Sequence, residues 1–335
     1  MKKYILILLL VIASGCKKDA VAPVITPVKV SVGMVEWAGF APLNVAKVKG
    51  LFSAQNLDVE VKVFSDNRDL AMALKNGTVD IALDMIGSWL DIKRQGNPIV
   101  ILGMTDWSNG GDKIILSSAI TDSTQLTGKK AGIYLNLLSV QNFLATYLAA
   151  KGLTMASFAS ITEESPSSLS DKFIANQYSL IVNYDPQAAR AVTSGSGKVS
   201  ATSADYPGVI PEGFATTSTF LSKISAATMV AFFDAWIQAV EWTKNSSNKN
   251  EYYTILNIYT FVSSPDFSNT ELDKFLADVK VFNTTELPAK NNSTGEVRTY
   301  SAGLNVKIST GKLPGTVIDT VGVFRTEFFL QALQN

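Results

Sequence analysis

Histidine does not occur anywhere in this chain of 335 residues. Without it there is no Ser-His-Asp or Cys-His catalytic group, no histidine general base and no histidine-ligated metal. Cysteine occurs once, at Cys16. A lone cysteine excludes internal disulfides, cysteine-rich zinc sites and cysteine-held iron–sulfur clusters. Charged residues are sparse, at 17%, and the 29 Lys and Arg cancel the 29 Asp and Glu. A chain with no basic excess lacks the positive stripe of a nucleic-acid binder. No cofactor motif and no spacing of metal-binding carboxylates is present. What the chain does have is apolar substance: 47% of its residues are hydrophobic, enough to bury a core of one large or two ordinary domains.

The first residues read as an address. Lys2 and Lys3 precede an apolar run over 4–12, then small residues, then Cys16. This is the order of a secretory signal. The run falls short of the roughly 20 apolar residues needed to cross a membrane. Ile12-Ala13-Ser14-Gly15-Cys16 resembles a bacterial lipobox, with Ala13 where leucine is usual. The resemblance implies that residues 1–15 are removed and that Cys16 is acylated. Several acyl chains, at about 0.8 kcal/mol per buried methylene, hold a protein at a membrane. Residues 16–27 are small and charged and include Pro23 and Pro27, which suits a tether. The alternative is a signal cut elsewhere, with Cys16 incidental.

Beyond the tether, strand and helix periods alternate at short spacing. Strands are expected over 28–34, 57–63, 79–83 and 98–104, with helices over 41–55, 66–75 and 87–95 between them. A β-α-β-α order of this kind predicts a largely parallel sheet covered on both faces. A second round gives strands over 113–117, 130–134, 158–162 and 179–183, with helices over 139–151, 169–176 and 186–193. Residues 194–197 read as a loop. After about Phe214 the pattern turns helical. Met229, Phe233, Trp236 and Val240 share one helical stripe, and further helices are expected over 251–261 and 320–333. The terminal helices need an apolar partner, and the first sheet offers one. The expected division is therefore a discontinuous first lobe of 28–117 and 214–335 and a second lobe of 118–213, with crossovers near 117–121 and 211–214.

The order of local motifs then resembles a known family. Trp37-Ala38-Gly39-Phe40-Ala41-Pro42 is followed by Ala46 to Phe52, then by Asn56 to Glu60, then by Leu74 to Ala82. Asp106 to Asp112 and Leu126 to Ile133 resemble a lobe-crossing region, and Tyr184-Asp185-Pro186 resembles an aromatic-X-Pro turn. Together they are similar to the substrate-binding proteins of ABC importers for nitrate, sulfonates, taurine and thiamine-precursor pyrimidines. The resemblance covers about 28–192 well and the last third weakly. It implies a type II periplasmic-binding-protein fold: α/β, two lobes, each a doubly wound sheet covered by helices, with the ligand in the cleft between them. It also implies hinge closure on a ligand.

Ligands of open α/β sheets sit beyond the carboxyl ends of strands. Trp37 and Gly39 follow the first strand. Trp37 can stack on a flat ligand or simply pack in the core, and Gly39 allows close backbone approach. Asp84 and Ser88 follow the third strand, where Ser88 is equally suited to cap a helix. Asp106 and Trp107 follow the fourth, where Asp106 can receive an amine or hydroxyl, or can bind turn N–H groups. In the second lobe the candidates are Tyr134, Asn136, Ser139, Tyr184 and Asp185. The loop here reads Tyr-Leu-Asn-Leu-Leu-Ser rather than the family's more usual Gly-Ser type, which tells against a pure oxyanion site. Glu36, Asp84, Asp106 and Asp185 fall at cleft-facing strand ends, and no Arg or Lys clearly does. The charge favours a ligand with nitrogen donors or an aromatic face.

The expected function is that of a lipid-anchored solute-binding protein, in the periplasm or at the cell surface of a bacterium. It would act as a monomer, capture a sulfonate, amine or pyrimidine-like ligand and deliver it to an ABC permease and ATPase. It would not be an enzyme. Pyrimidine synthase relatives use a histidine as substrate source, which this chain cannot supply. A ligand-sensing surface lipoprotein, or another enzyme on the same fold, are the alternatives.

Overall fold

The computed structural model describes residues 26–135, 137–195, 197–263 and 266–335. The signal, Cys16, most of the tether and Asn136 lie outside the described residues. In chain order the strands are β1 (Val28–Val35), β2 (Leu57–Phe64), β3 (Ile81–Met85), β4 (Ile99–Ser108), β5 (Asp112–Ser117), β6 (Lys130–Ile133), β7 (Ser160–Glu163), β8 (Leu180–Tyr184), β9 (Gly197–Thr202), β10 (Pro211–Thr217) and β11 (Val279–Val281). They form two mixed sheets. The first runs β11-β4-β10-β3-β1-β2 and the second β7-β6-β8-β5-β9.

In the first sheet β1 pairs in parallel with β2 and β3, while β10 runs antiparallel between β3 and β4. In the second, β6 pairs in parallel with β7 and β8, and β5 runs antiparallel between β8 and β9. Each sheet thus receives one antiparallel strand from the chain that crosses over. This corrects two expectations. The sheets are mixed rather than largely parallel, and β5 belongs to the second sheet. The crossovers accordingly fall at 109–111 and 203–210, before the expected positions. Ser203 ties them together: its Oγ lies 2.7 Å from Ser108 Oγ and accepts from Gly110 N at 2.7 Å. Gly110, at φ 122°, makes the turn that other residues rarely adopt.

Local chemistry explains the other departures. The helix expected over 41–55 breaks into Ala41–Val48 and Leu51–Ala54 at Gly50, which takes φ 71°. β9 replaces part of the expected 194–197 loop. The helix expected over 320–333 shortens to Glu327–Ala332. Three helices, Asn269–Ala277, Leu287–Asn291 and Glu296–Ser309, occupy a stretch that had no clear pattern.

Each sheet has its own apolar cluster. The helix Ala226–Lys244 buries Met229, Phe233, Trp236 and Val240 in the cluster of the first sheet. Phe214 of β10 meets Phe233 and Trp236 edge-on at 5.4 and 5.7 Å, and Phe329 closes the stack on Trp236 at 5.5 Å. Among the described residues no helix is long and apolar enough to cross a membrane.

Candidate functional site

The two sheets face each other across a cavity with about 350 Å³ of space between atoms, open solvent at its mouth included. The first sheet's side supplies Val35, Glu36, Trp37, Phe40 and Asn67, with Asp84 and Met85 from the end of β3 and Glu212 from β10. The second sheet's side supplies Asp112, Tyr134 and Tyr184. Four of the residues read from the sequence, Trp37, Asp84, Tyr134 and Tyr184, therefore meet at one wall.

Each is placed by a strand end. Trp37 ends the segment after β1 and precedes the short turn Ala38–Phe40. Its Nε1 donates to Asp106 Oδ2 at 3.3 Å. Its ring lies so close to the backbone at Gly111 that a Cβ there would fall 2.4 Å from Cη2. Asp84 Oδ1 accepts from Asn67 Nδ2 at 2.8 Å and from Met85 N at 2.7 Å. Burial outweighs both bonds and pushes this carboxyl up to about 7. Tyr134 donates its hydroxyl to Asp112 Oδ1 at 2.8 Å, and its ring meets Tyr184 edge-on at 4.9 Å. Burial raises both phenols, with the Asp112 charge adding to the effect.

Asp106 stands behind this wall. Thr105 Oγ1 donates to its Oδ1 at 2.6 Å. Glu212 lies opposite it in the β10–β4 ladder, and a bulge there leaves Thr105 as the extra residue. The two carboxyls are close enough to share a hydrogen bond, which requires a proton on one of them. Burial, and then the charge of Asp106, raises Glu212 well above the ordinary carboxylate range, and the pair holds that proton between them. Burial likewise raises Asp112, against donors from Ser108 and Tyr134.

The other candidates lie elsewhere. Gly39 is buried beside the site, where a Cβ would fall 2.1 Å from Asp106 Oδ2. It makes room for that carboxylate and does not line the cavity. Ser88 is buried in the helix Ile86–Arg94, its Oγ without a hydrogen-bond partner. Trp107 packs edge-on against Phe282 at 5.0 Å, with Lys290 Nζ 4.3 Å above its ring. Ser139 accepts from Gly87 N at 3.1 Å, a contact between the two halves. Asp185 lines an adjoining cavity with Glu36, Trp37 and Phe261. Burial alone would raise Asp185, but Lys113 and Lys274 outweigh it and hold it below the usual range. Asn136 lies outside the described residues.

Sequence reasoning did not single out Asp112 or Glu212. Both open their strands, and β5 and β10 run against their neighbours, so their amino ends point where the carboxyl ends of β3 and β8 point. A rule confined to carboxyl ends misses them. Among the described residues no group of three or more Asp, Glu, Cys or His is arranged to hold a metal ion.

Comparison with known proteins places this geometry. The family model for the NMT1-like family matches residues 25–257. The periplasmic nitrate-binding protein NrtA from Synechocystis PCC 6803 superposes with a TM-score of 0.71 at 19% identity, covering 92% of this chain and 89% of that one. The ligand-binding component of an ABC-type import system from Staphylococcus aureus, with zinc bound, gives 0.70 at 15% identity, covering 91% and 99%. The alkanesulfonate-binding protein SsuA from Xanthomonas axonopodis pv. citri, bound to MOPS, gives 0.69 at 17% identity, covering 88% and 98%. No curated protein sequence matches the chain. The fold is that of two-lobed periplasmic binding proteins, and the chain belongs to the NMT1-like family.

Proposed function

We propose that this chain is a solute-binding protein that captures a small organic ligand between its two sheets and hands it to an ABC permease and ATPase. The observation that carries the reading is the cavity whose walls come from both sheets and whose rim holds Trp37 and Tyr184. A ligand there touches both halves at once, so binding energy can draw them together. The named roles of the structural neighbours, a nitrate-binding protein and an importer's ligand-binding component, support the same role here. The ligand classes within the proposal are sulfonates, amines and pyrimidine-like molecules. The protein carries out no chemistry on its ligand and works as a monomer in the cell envelope, held by acylated Cys16.

A thermal-shift screen over sulfonates, amines and pyrimidines tests the capture step. At least one class raises the melting temperature of the wild-type protein and fails to raise that of a Trp37→Ala, Tyr184→Ala double variant. A ligand that stabilises both equally binds elsewhere and ends the reading. The anchor is tested separately: Cys16→Ser moves the protein from the membrane fraction to the soluble one, and an unchanged distribution refutes lipidation.

A further inference from the structure

The donors and acceptors around the cavity do not balance, and this bears on what it holds, given the solute-binding role proposed above. Four carboxyls line it: Glu36, Asp84, Asp112 and Glu212. No Lys or Arg is among the described residues that line it. The nearest lysine, Lys113, is turned away, donating to Asp185 Oδ2 at 3.0 Å and to Gly110 O at 2.7 Å. The wall's donors are already committed to carboxylates: Asn67 to Asp84, Tyr134 to Asp112, and Trp37 to Asp106 behind the wall. Glu212, only 5% exposed, shares a hydrogen bond with Asp106, and no N–H or hydroxyl of the described residues reaches its Oε2. A buried polar atom left unpaired costs about 1–3 kcal/mol and persists where something outside the fold satisfies it.

We propose that the cleft selects a small organic cation that presents two or more N–H groups beside a flat unsaturated face. The N–H groups meet the carboxyls of Glu212 and Asp84, and the flat face lies against Trp37 and Tyr184. Trp and Tyr faces attract cations, and charge-assisted hydrogen bonds to carboxylates are the strong ones. An anion would find no lysine or arginine among the described lining residues. A metal ion would find no cluster of ligands. This departs from the nitrate and alkanesulfonate bound by the structural neighbours.

Binding of a cation releases a proton. Glu212 shares a proton with Asp106 across the ladder. Its carboxyl also faces Asp84, Asp112 and the phenol of Tyr134, with Glu36 on its own side of the cavity, Tyr184 on the other and Tyr252 behind Asp106. Lys113, beyond Asp112, opposes these groups. A cation seated at the Glu212 carboxyl reverses that balance: the proton shared with Asp106 passes to solvent and the carboxylate–cation pair remains, with charge conserved.

Three molecules of one shape provide the test: benzamidine, a cation; benzamide, neutral; and benzenesulfonate, an anion. Calorimetric titration is run at pH 7.5 in phosphate and in Tris, whose ionisation enthalpies differ. Benzamidine binds, benzamide binds at least about a hundredfold more weakly, and benzenesulfonate does not bind. The benzamidine heat differs between the buffers by the released proton. Glu212→Gln, which matches the neutral acid in shape and keeps the melting temperature, weakens benzamidine at least about tenfold and removes the buffer dependence. Benzenesulfonate or nitrate binding in a Trp37-dependent way overturns the cation assignment and leaves solute binding standing. Benzamidine failing to bind, or binding unchanged by Glu212→Gln, also overturns it.

Discussion

Trp37 joins two functions in one side chain: its ring closes the cavity and its Nε1 holds Asp106. Trp37→Ala strips a ligand's flat face of its cover. The loss corresponds to about 1–3 kcal/mol, a factor of about ten to a hundred in affinity. Because the side chain is half-buried, folding suffers less than from loss of a fully buried Trp, which costs about 3–5 kcal/mol. Melting temperature without ligand and affinity with it separate the outcomes. A large fall in melting temperature with affinity intact would make Trp37 a core residue. Asp84 gives a second prediction. Its folded value, about 7, lies above the ordinary 3.8. Between those values the folded chain keeps a proton that the unfolded chain has lost. Stability therefore declines as pH rises through that window and levels off above it. Asp84→Asn retains an oxygen for Met85 N and Asn67 and removes the ionisation. The ligand-free variant melts about 2–4 °C higher than wild type at pH 8 for each kcal/mol recovered, with the gap closing towards pH 4. A variant that melts lower at pH 8 shows that burial of charge is not what raises Asp84.

Among elements, β10 is the one held tightly at the site. Its Glu212 faces the cavity, and its next residue, Gly213, runs so close to β4 that a Cβ would fall 2.0 Å from Gly103 O. That atom is backbone and cannot rotate away. Gly213→Ala therefore breaks the β10–β4 register and lowers the melting temperature sharply, together with any ligand stabilisation. A neutral result would show that the ladder at the bulge is looser than described. The same strand shows where sequence reading stops. The elements with a clean period of two, β1 and β2, were legible, as was the stripe of Met229, Phe233, Trp236 and Val240. β10 was not, because Pro211 and Gly213 read as breakers and its direction follows from the crossover, a long-range feature. Trp37, Asp84, Tyr134 and Tyr184 were legible as strand-end residues. Glu212 and Asp112 required knowledge that their strands run the other way. Trp107 had the same local signature as Trp37, yet Phe282 and Lys290, more than 170 residues away in the chain, draw it into packing.

At the scale of the molecule, two halves joined by two short crossovers are also held across the cleft by charge. Asp185 accepts from Lys274 on the helix Asn269–Ala277, and Arg68 meets Glu163 at 2.9 Å. Asp185 is held below its ordinary value, so its contribution is present at neutral pH and is lost as pH falls through the folded value. Lys274→Ala with Arg68→Ala removes both clasps. The expected result is a larger radius of gyration in solution scattering without ligand and faster ligand release, with the far-ultraviolet spectrum unchanged. Unchanged dimensions and release rates would mean that the crossovers and the other contacts between the halves, Gly87 to Ser139 and Lys307 to Asn142 among them, set the closure.

The central claim is that the space between the sheets captures a small molecule. Native mass spectrometry of the protein isolated from the cells that naturally make it tests it most directly. The account predicts one small adduct per chain on the wild type, absent from a Trp37→Ala, Tyr184→Ala double variant that is folded and isolated alongside it. An adduct retained in full by that variant, or a wild-type chain that carries none and gains none from an extract of its own growth medium, would contradict it.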